Sequence, residues 1–434
     1  MRFNILSNKD RVYKALVNIF NYLRGALFAK RYGLYFSLAY ALILVLQFYP
    51  GVLYSDTVPR WNLAIEFYNN GFTNLSNYSS HHPVIPSILQ SFFYAITKDI
   101  GFFIFTQVFL FSYAIFLFAR ELSDSKYINI IATLLLLAPI NYIYALFHSF
   151  DSIYAILNIF LIYFIYKTYR CSSFKYYLCL ITCIFLLVSV RLNSILLAPV
   201  IAALYLYGIK NKHNLKLSLV KTVVILLVAY SPFVITSSLN MKTSNSWIIG
   251  FAWEYANLAT KSENPKHRDF ISSLGGDIEK IESNICYNGI WCGSERSEFI
   301  SKVSRDNALT KETFFNYLNL AIHEPILFAK EKIKYIGSIM GVGRELSNSE
   351  IGKWRTHNWA EQHKNLGFIT NDNKEKIIDN YFKFSKSVSF LFQPYKVLLI
   401  GLIMLVCTWF LNRRATLILS VGLSLSWFYY FTFF

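Results

Sequence analysis

Residues 101–119 read GFFIFTQVFLFSYAIFLFA, a run without one charged side chain that ends directly at the basic loop Arg120 to Lys126. A helix needs about 20 apolar residues to cross the hydrocarbon of a bilayer, and a helix satisfies its own backbone groups there. The run is therefore long enough for one transmembrane helix. Its basic flank indicates that this helix ends on the cytoplasmic side.

Apolar runs of this kind recur along most of the chain. Hydrophobic residues make up 55% of the 434 residues and charged residues only 15%, which is more apolar side chain than one soluble core buries. The sequence thus predicts a mostly α fold, a polytopic membrane bundle of about nine spans. The predicted spans are 34–54, 101–119, 127–145, 152–168, 175–190, 192–208, 219–237, 390–411 and 415–433.

The excess positive charge is concentrated in short loops and in the N-terminal segment. The chain has a net charge of +17, but the stretch 237–389 holds 20 Lys and Arg against 18 Asp and Glu. Such a distribution marks the cytoplasmic side of a membrane protein and not a nucleic-acid-binding surface, so we expect no nucleic acid partner. The segments expected in the cytoplasm are residues 1–33, Arg120 to Lys126, Lys167 to Lys175, Lys210 to Lys221 and Arg413 to Arg414.

The segment Val84 to Thr97 is apolar but only about 14 residues long, and Pro83 and Pro86 interrupt it. If it crossed the membrane, every later basic loop would be placed on the outer side. A run this short is typical of a re-entrant or interfacial helix. We interpret it as such a helix within a first outer loop, 55–100, which leaves the N-terminus inside and the C-terminus outside.

The stretch 238–389 differs from the rest because charged residues alternate with apolar ones at helical spacing. Phe314, Leu318, Ile322 and Ile326 are an example. This stretch is predicted to be a mostly helical domain outside the cytoplasm. The chain is accordingly divided into a basic amphipathic cytoplasmic segment 1–33, a transmembrane module 34–237, the extracytoplasmic domain 238–389 and a two-span hairpin 390–434.

Two of the six cysteines, Cys286 and Cys292, fall in the predicted outer domain. A disulfide between them fits an oxidising compartment and agrees with the topology derived from charge. The alternative is two unpaired thiols, because nearness in sequence does not guarantee the geometry that a disulfide requires.

Outside the stretch 237–389 the chain has only seven acidic residues, and two of them, Asp56 and Asp151, stand at predicted outer ends of spans. A carboxylate at the membrane boundary is costly unless it has a partner or a function. Asp56 is interpreted either as the N-cap of a helix with Pro59 in its first turn or as a general base near the membrane surface. Asp151, in the sequence HSFDS, is likewise either an N-cap or a site carboxylate.

Several cationic or polar side chains on the predicted outer side are suited to hold a phosphate. Arg191, in a short turn with Asn193, either extends to lipid headgroups or binds a lipid-linked phosphate. His81 and His82 either form a polar surface or cap or donate to that phosphate; because adjacent histidines do not share a helix face, they are a weak metal signal. The predicted phosphate-binding set is Arg60, His81, His82, Arg191 and Asn193.

Taken in order, these motifs resemble the GT-C class of integral-membrane glycosyltransferases. The shared features are an Asp just beyond the first span, a His-Pro pair in the first outer loop, an Asp before a later helix, an Arg-x-Asn turn and a large late external domain. Within that class, nine spans with a re-entrant segment and this orientation resemble the bacterial serotype-converting O-antigen glucosyltransferases. The resemblance covers residues 34–237 in layout and motif, and the rest in layout only.

The resemblance implies a role for individual residues. Asp56 corresponds to the catalytic acid of the first outer loop, Asp151 to the second loop acid, and Arg191 to the basic residue that contacts phosphate. Many relatives carry a second acid beside the first, where this chain has Ser55, which leaves open whether a divalent metal takes part.

The implied reaction transfers a hexose, glucose in the family that the chain resembles, from a polyprenyl-phosphate donor to a lipid-linked or cell-surface polysaccharide such as the O-antigen of lipopolysaccharide. It belongs to the outer face of the bacterial inner membrane, with membrane lipid as a further partner. No nucleotide cofactor is expected, in agreement with the lack of a Gly-rich phosphate-binding motif. The alternatives are a polysaccharide polymerase or ligase, and a flippase or transporter of lipid-linked sugar.

Overall fold

The computed structural model describes nine segments of the chain and some single residues between and after them. These segments are 31–51, 57–71, 84–122, 127–137, 150–171, 173–209, 215–239, 248–283 and 297–339. The described residues are predominantly helical and contain no strand, which confirms the predicted mostly α fold for this part of the chain.

The described part of the predicted transmembrane module contains nine α-helices and one 3₁₀ helix. They are α1 (Tyr32–Phe48), α2 (Thr57–Asn70), α3 (Val84–Thr97), α4 (Gly101–Leu122), α5 (Ile128–Leu137), α6 (Phe150–Cys171), α7 (Phe174–Val190), the 3₁₀ helix Leu192–Leu197, α8 (Ala198–Ile209) and α9 (Leu215–Ser238).

Three described segments are helical, long and apolar enough to cross a membrane: Gly101–Glu121, Phe150–Cys171 and Lys216–Ser238. Five shorter helical segments are also apolar, and they lie in α1, α3, α5, α7 and the stretch Ser194–Leu206. The full count of nine spans stays a prediction, because most residues of the predicted spans 390–411 and 415–433 lie outside the described part.

The helices of the module pack into two apolar clusters. In the first, α1 lies against α4, and a Cβ atom added to Gly33 would stand only 2.7 Å from Cβ of Phe116. In the second, α6, α7, α8 and α9 meet around fully buried residues such as Leu161 and Leu180. Many side chains on the outer surface of these helices are nevertheless apolar and exposed, among them Leu227 of α9, as expected for helices surrounded by lipid.

One end of the module gathers basic side chains and is called the basic end. Here Glu121 of α4 pairs with Lys167 at 2.5 Å and with Arg170 at 3.7 Å, both on α6. The Tyr177 hydroxyl of α7 donates to the carbonyl oxygen of Lys221 in α9 at 2.8 Å. Segments predicted from charge to share the cytoplasmic side therefore lie together in space.

The opposite end, where α1 and α3 end and α4 and α6 begin, is called the polar end. The Tyr49 hydroxyl donates to the Asp99 carboxylate, whose other oxygen accepts a hydrogen bond from the Gly101 N–H at 2.5 Å. Gly51 has a φ of 115°, and a Cβ there would lie 3.1 Å from the Leu146 carbonyl oxygen. Glycine meets both requirements, since it has no Cβ and adopts positive φ readily.

The described part of the predicted outer domain, within 248–283 and 297–339, consists of helices joined by short connections. Its helices are α10 (Ile248–Ala259), α11 (Pro265–Ser273), α12 (Ile278–Ser283), α13 (Ser297–Arg305), α14 (Asn307–His323) and α15 (Pro325–Ile339). Side-chain caps start two of them: Asn264 accepts from the Lys266 N–H, and Asp306 accepts from the N–H groups of α14's first turn. Tyr255 and Phe299 are buried in its core.

The predicted topology is tested by membrane-impermeant labelling of single cysteines in intact cells. Cysteine at position 216 should be protected, and cysteines at 193, 298 and 364 should be labelled from outside. A variant that keeps Cys171 as its single cysteine, exposed and at the basic end, serves as the reference for the protected side. A protected cysteine at position 193 would mean that Val84–Thr97 crosses the membrane, and it would remove the candidate site from the outer face.

Candidate functional site

The structure describes three of the predicted site residues in full. Arg60, Asp151 and Arg191 all lie at the polar end. The backbone of Asn193 is described within the 3₁₀ helix Leu192–Leu197. The predicted residues that lie outside the described part are Asp56, His81, His82, Cys286 and Cys292.

Asp151 and Arg191 form an ion pair between the start of α6 and the end of α7. Asp151 lies in the first turn of α6, and Arg191 is the C-cap residue of α7, whose N–H donates to the Leu187 carbonyl oxygen at 3.1 Å. The Nη2 atom of Arg191 donates to Oδ1 of Asp151. The Asp151 side chain is 66% exposed and the Arg191 side chain 34%, so the pair is open to solvent and accessible to an anion. Such a pair contributes at most about 1 kcal/mol to stability.

Arg60 of α2 also contacts the start of α6, at Phe150, the residue before Asp151. This arginine is buried in α2, and its guanidinium carbon lies 3.8 Å from the centre of the buried Phe150 ring. A cation over an aromatic face is attracted by the ring quadrupole. Because Phe150 and Asp151 are consecutive, Arg60 and Arg191 are brought to adjacent residues in the first turn of α6.

A buried polar contact between His148 and Gln90 ties α3 to this site. Both side chains are fully buried, and Nε2 of His148 lies 2.9 Å from Nε2 of Gln90. Burial and the positive charge of Arg60 lower the pKa of His148 to about 3. His148 is therefore neutral at physiological pH, so its ring can accept a hydrogen bond from the Gln90 amide.

Helix α3 spans Val84–Thr97, the same bounds as the segment interpreted from sequence as a re-entrant or interfacial helix. Its first turns pack against α2 and against Leu239, the residue after α9. Gln90 points inward, whereas Phe92 and Ile96 are exposed. The buried side thus carries Gln90 towards the protein, and the exposed apolar side chains suit contact with lipid.

Gln90 was not among the residues predicted from sequence. It is the one amide side chain in a mostly apolar helix, and this was the available signal in the sequence. Its contact with His148 joins positions 58 residues apart, which no local pattern reveals.

The other described acids of the module have partners away from Arg60 and Arg191. Glu66 accepts a hydrogen bond from Asn70 at 2.7 Å, Asp99 caps the start of α4, and Glu121 forms the ion pairs of the basic end. Asp151 is thus the described carboxylate that contacts a predicted phosphate-binding residue.

The described residues contain no group of three or more His, Cys, Asp and Glu that could hold a metal ion. Asp56, His81 and His82 of the predicted first outer loop lie outside the described residues.

Two arginines contact consecutive residues at the start of α6: Arg191 pairs with the accessible carboxylate of Asp151, and the buried Arg60 lies over the ring of Phe150. Guanidinium groups match the oxygens of a phosphate, often through two parallel hydrogen bonds. Asp151 engages Arg191 through one terminal nitrogen, and a guanidinium carries five N–H donors, so Arg191 retains donors for an anion. The arrangement is suited to bind a phosphate at the level of the helix ends.

Comparison with known proteins identified no relative of this chain. No protein-family model, no curated protein and no solved structure matches it.

Proposed function

We propose that the protein is an integral membrane glycosyltransferase that moves a hexose from a polyprenyl-phosphate donor to a lipid-linked or cell-surface polysaccharide such as O-antigen. The observation that carries this proposal is the convergence of Arg60 and Arg191 on the first turn of α6, beside the accessible carboxylate of Asp151. The order and common side of the short sequence motifs support it.

In the proposed reaction, the phosphate of the donor binds at the polar end, close to Arg191 and Arg60. The oxygen of an acceptor hydroxyl attacks the anomeric carbon of the sugar, and Asp56 takes the hydroxyl proton. The bond between that carbon and the phosphate oxygen breaks at the same time, so polyprenyl phosphate leaves and the configuration inverts. The guanidinium groups stabilise the negative charge that develops on the leaving phosphate.

A flippase or transporter is disfavoured by where the described acids lie. Transporters place ionisable residues near the middle of the membrane, in broken helices. The described acids of the module are Glu66, Asp99, Glu121 and Asp151, and the last three lie at or beside the ends of apolar helices. A polymerase or ligase shares the lipid-linked donor and differs in transferring an oligosaccharide.

The proposal is tested with membranes that contain the full chain, supplied with labelled polyprenyl-phosphate glucose and an O-antigen acceptor but with no nucleotide sugar. We expect label to move into the polysaccharide, and matched membranes without the chain to leave it on the lipid. Transfer only of preassembled oligosaccharide would identify a polymerase or ligase. Movement of labelled lipid between leaflets without transfer would identify a flippase.

A further inference from the structure

A large apolar surface is exposed on the described part of the outer domain, on the two helices α14 and α15. In α14 it consists of Phe315, Leu318 and Ile322, and in α15 of Ile326 and Ile333. Ile322 is 73% exposed and Ile326 is 84% exposed. We call these five residues the apolar hairpin face. Several strongly exposed apolar side chains on two consecutive helices are typical of an interaction site, whereas single ones are ordinary.

The spacing of these residues places them on one side of each of the two helices. Phe315, Leu318 and Ile322 follow each other at intervals of three and four, so they lie on one side of α14. Ile326 and Ile333 are seven apart, two turns along one side of α15. The two helices are consecutive, since α14 ends at His323 and α15 begins at Pro325.

The opposite side of the hairpin is fixed to the domain by polar contacts. Glu254 of α10 accepts hydrogen bonds from Tyr317 and from Lys332, both at 2.6 Å. Glu331 pairs with Lys261 at 2.5 Å. The hairpin therefore presents its apolar side outward in a defined orientation.

Lysine residues accompany the apolar hairpin face. Lys311 and Lys330 are exposed, as is Lys334, whose ammonium pairs with Glu331 at 2.9 Å. Glu312 is the one exposed acid among the described residues of the two helices. Apolar side chains together with lysines are typical of a helix that lies in the interface of a membrane with anionic lipid.

The membrane surface is also within reach of this domain at all times. The domain follows α9, which contains a candidate membrane span up to Ser238, and Leu239 packs beside α2 and α3 at the polar end. Because α9 connects the domain to the membrane, the effective concentration of the membrane surface near the hairpin is high. Weak contacts are then enough to hold the hairpin against that surface.

From these observations we infer that the apolar hairpin face lies in the interface of the membrane that the bundle spans, with its isoleucines below the headgroups and its lysines at the level of the lipid phosphates. This fixes the outer domain against the bilayer at a second place besides its connection to α9. The inference does not depend on the proposed sugar transfer.

The test uses the full chain in bilayers that contain anionic lipid, with a spin label on a genetically encoded ketone side chain so that the native cysteines stay in place. Labels at positions 322 and 326 are compared with a control at Ser272, an exposed polar residue of α11 outside the hairpin face. Oxygen, which concentrates in lipid, and a water-soluble nickel complex are the two collision partners. We expect the labels at 322 and 326 to collide mainly with oxygen, and the label at 272 to collide mainly with the nickel complex.

Collision with nickel at all three positions would overturn the inference, because the face would then be in water. Protection of the labels from both collision partners would also overturn it, because the face would then be covered by protein. Magnetic coupling between labels on two molecules would identify a second copy as the covering protein. Without such coupling, another part of the same chain would cover the face. In bilayers of neutral lipid, or in the Lys330→Glu variant, we expect the label at 326 to collide more often with the nickel complex, closer to the rate at the control position 272.

Discussion

Replacing Asp56 by Asn is expected to lower the rate of sugar transfer by about 10²- to 10⁴-fold, the usual contribution of a general base. Helix α2 begins at Thr57, directly after this residue, so a capping role is the competing explanation. Asn caps a helix about as well as Asp does but cannot take the proton. The substitution therefore separates the two roles, whereas Ala would remove both.

Initial transfer rates from labelled donor would be measured in membranes with equal amounts of each variant. The matched control is Glu66→Gln, a neutralised carboxylate in the same helix α2, which should transfer at close to the wild-type rate. If Asp56→Asn also kept the wild-type rate, Asp56 would be a cap, and the base would have to be sought at Asp151 or in the outer domain.

Arg191→Lys is expected to lower transfer by about 10²- to 10³-fold, the cost of losing one preorganised donor to developing charge. Lysine keeps the positive charge and can still pair with Asp151, so the ends of α6 and α7 should stay together. What it loses is the fork of parallel N–H donors that fits a phosphate.

The matched control for this substitution is Arg170→Lys, because Arg170 also lies in a partly exposed ion pair, at the basic end. We expect it to transfer normally. Near-normal transfer by Arg191→Lys would show that Arg191 serves only its contact with Asp151 or with lipid headgroups, and would move the phosphate site towards Arg60.

The positions of individual helices were predictable from the sequence because membrane segments are bounded by charge, proline or polar turns. The run 101–119 became α4, which extends to Leu122, and the segment 84–97 became a helix with the same bounds. Two predicted spans differ from the structure. The span 34–54 corresponds to α1, which ends at Phe48, and the span 192–208 begins as a 3₁₀ helix directly after Arg191.

The site itself was only partly predictable, because its contacts join distant residues. Asp151 and Arg191 were each predicted to belong to the site, but their pairing, across 40 positions, was not. The stacking of Arg60 on Phe150 likewise depends on how α2 packs against α6. In the outer domain the spacing of Leu318 and Ile322 predicted a helix correctly, yet both residues are exposed.

The packing of α1 has a consequence for how the protein is made. Its Tyr40 hydroxyl donates to the carbonyl oxygen of Leu136 at 2.7 Å, and Gly33 fits against Phe116. The ribosome releases α1 long before it has synthesised either partner. A membrane span formed by α1 would therefore enter the bilayer before its final neighbours, which are complete only once α5 has been made. Until then, lipid or the insertion machinery would have to supply its contacts.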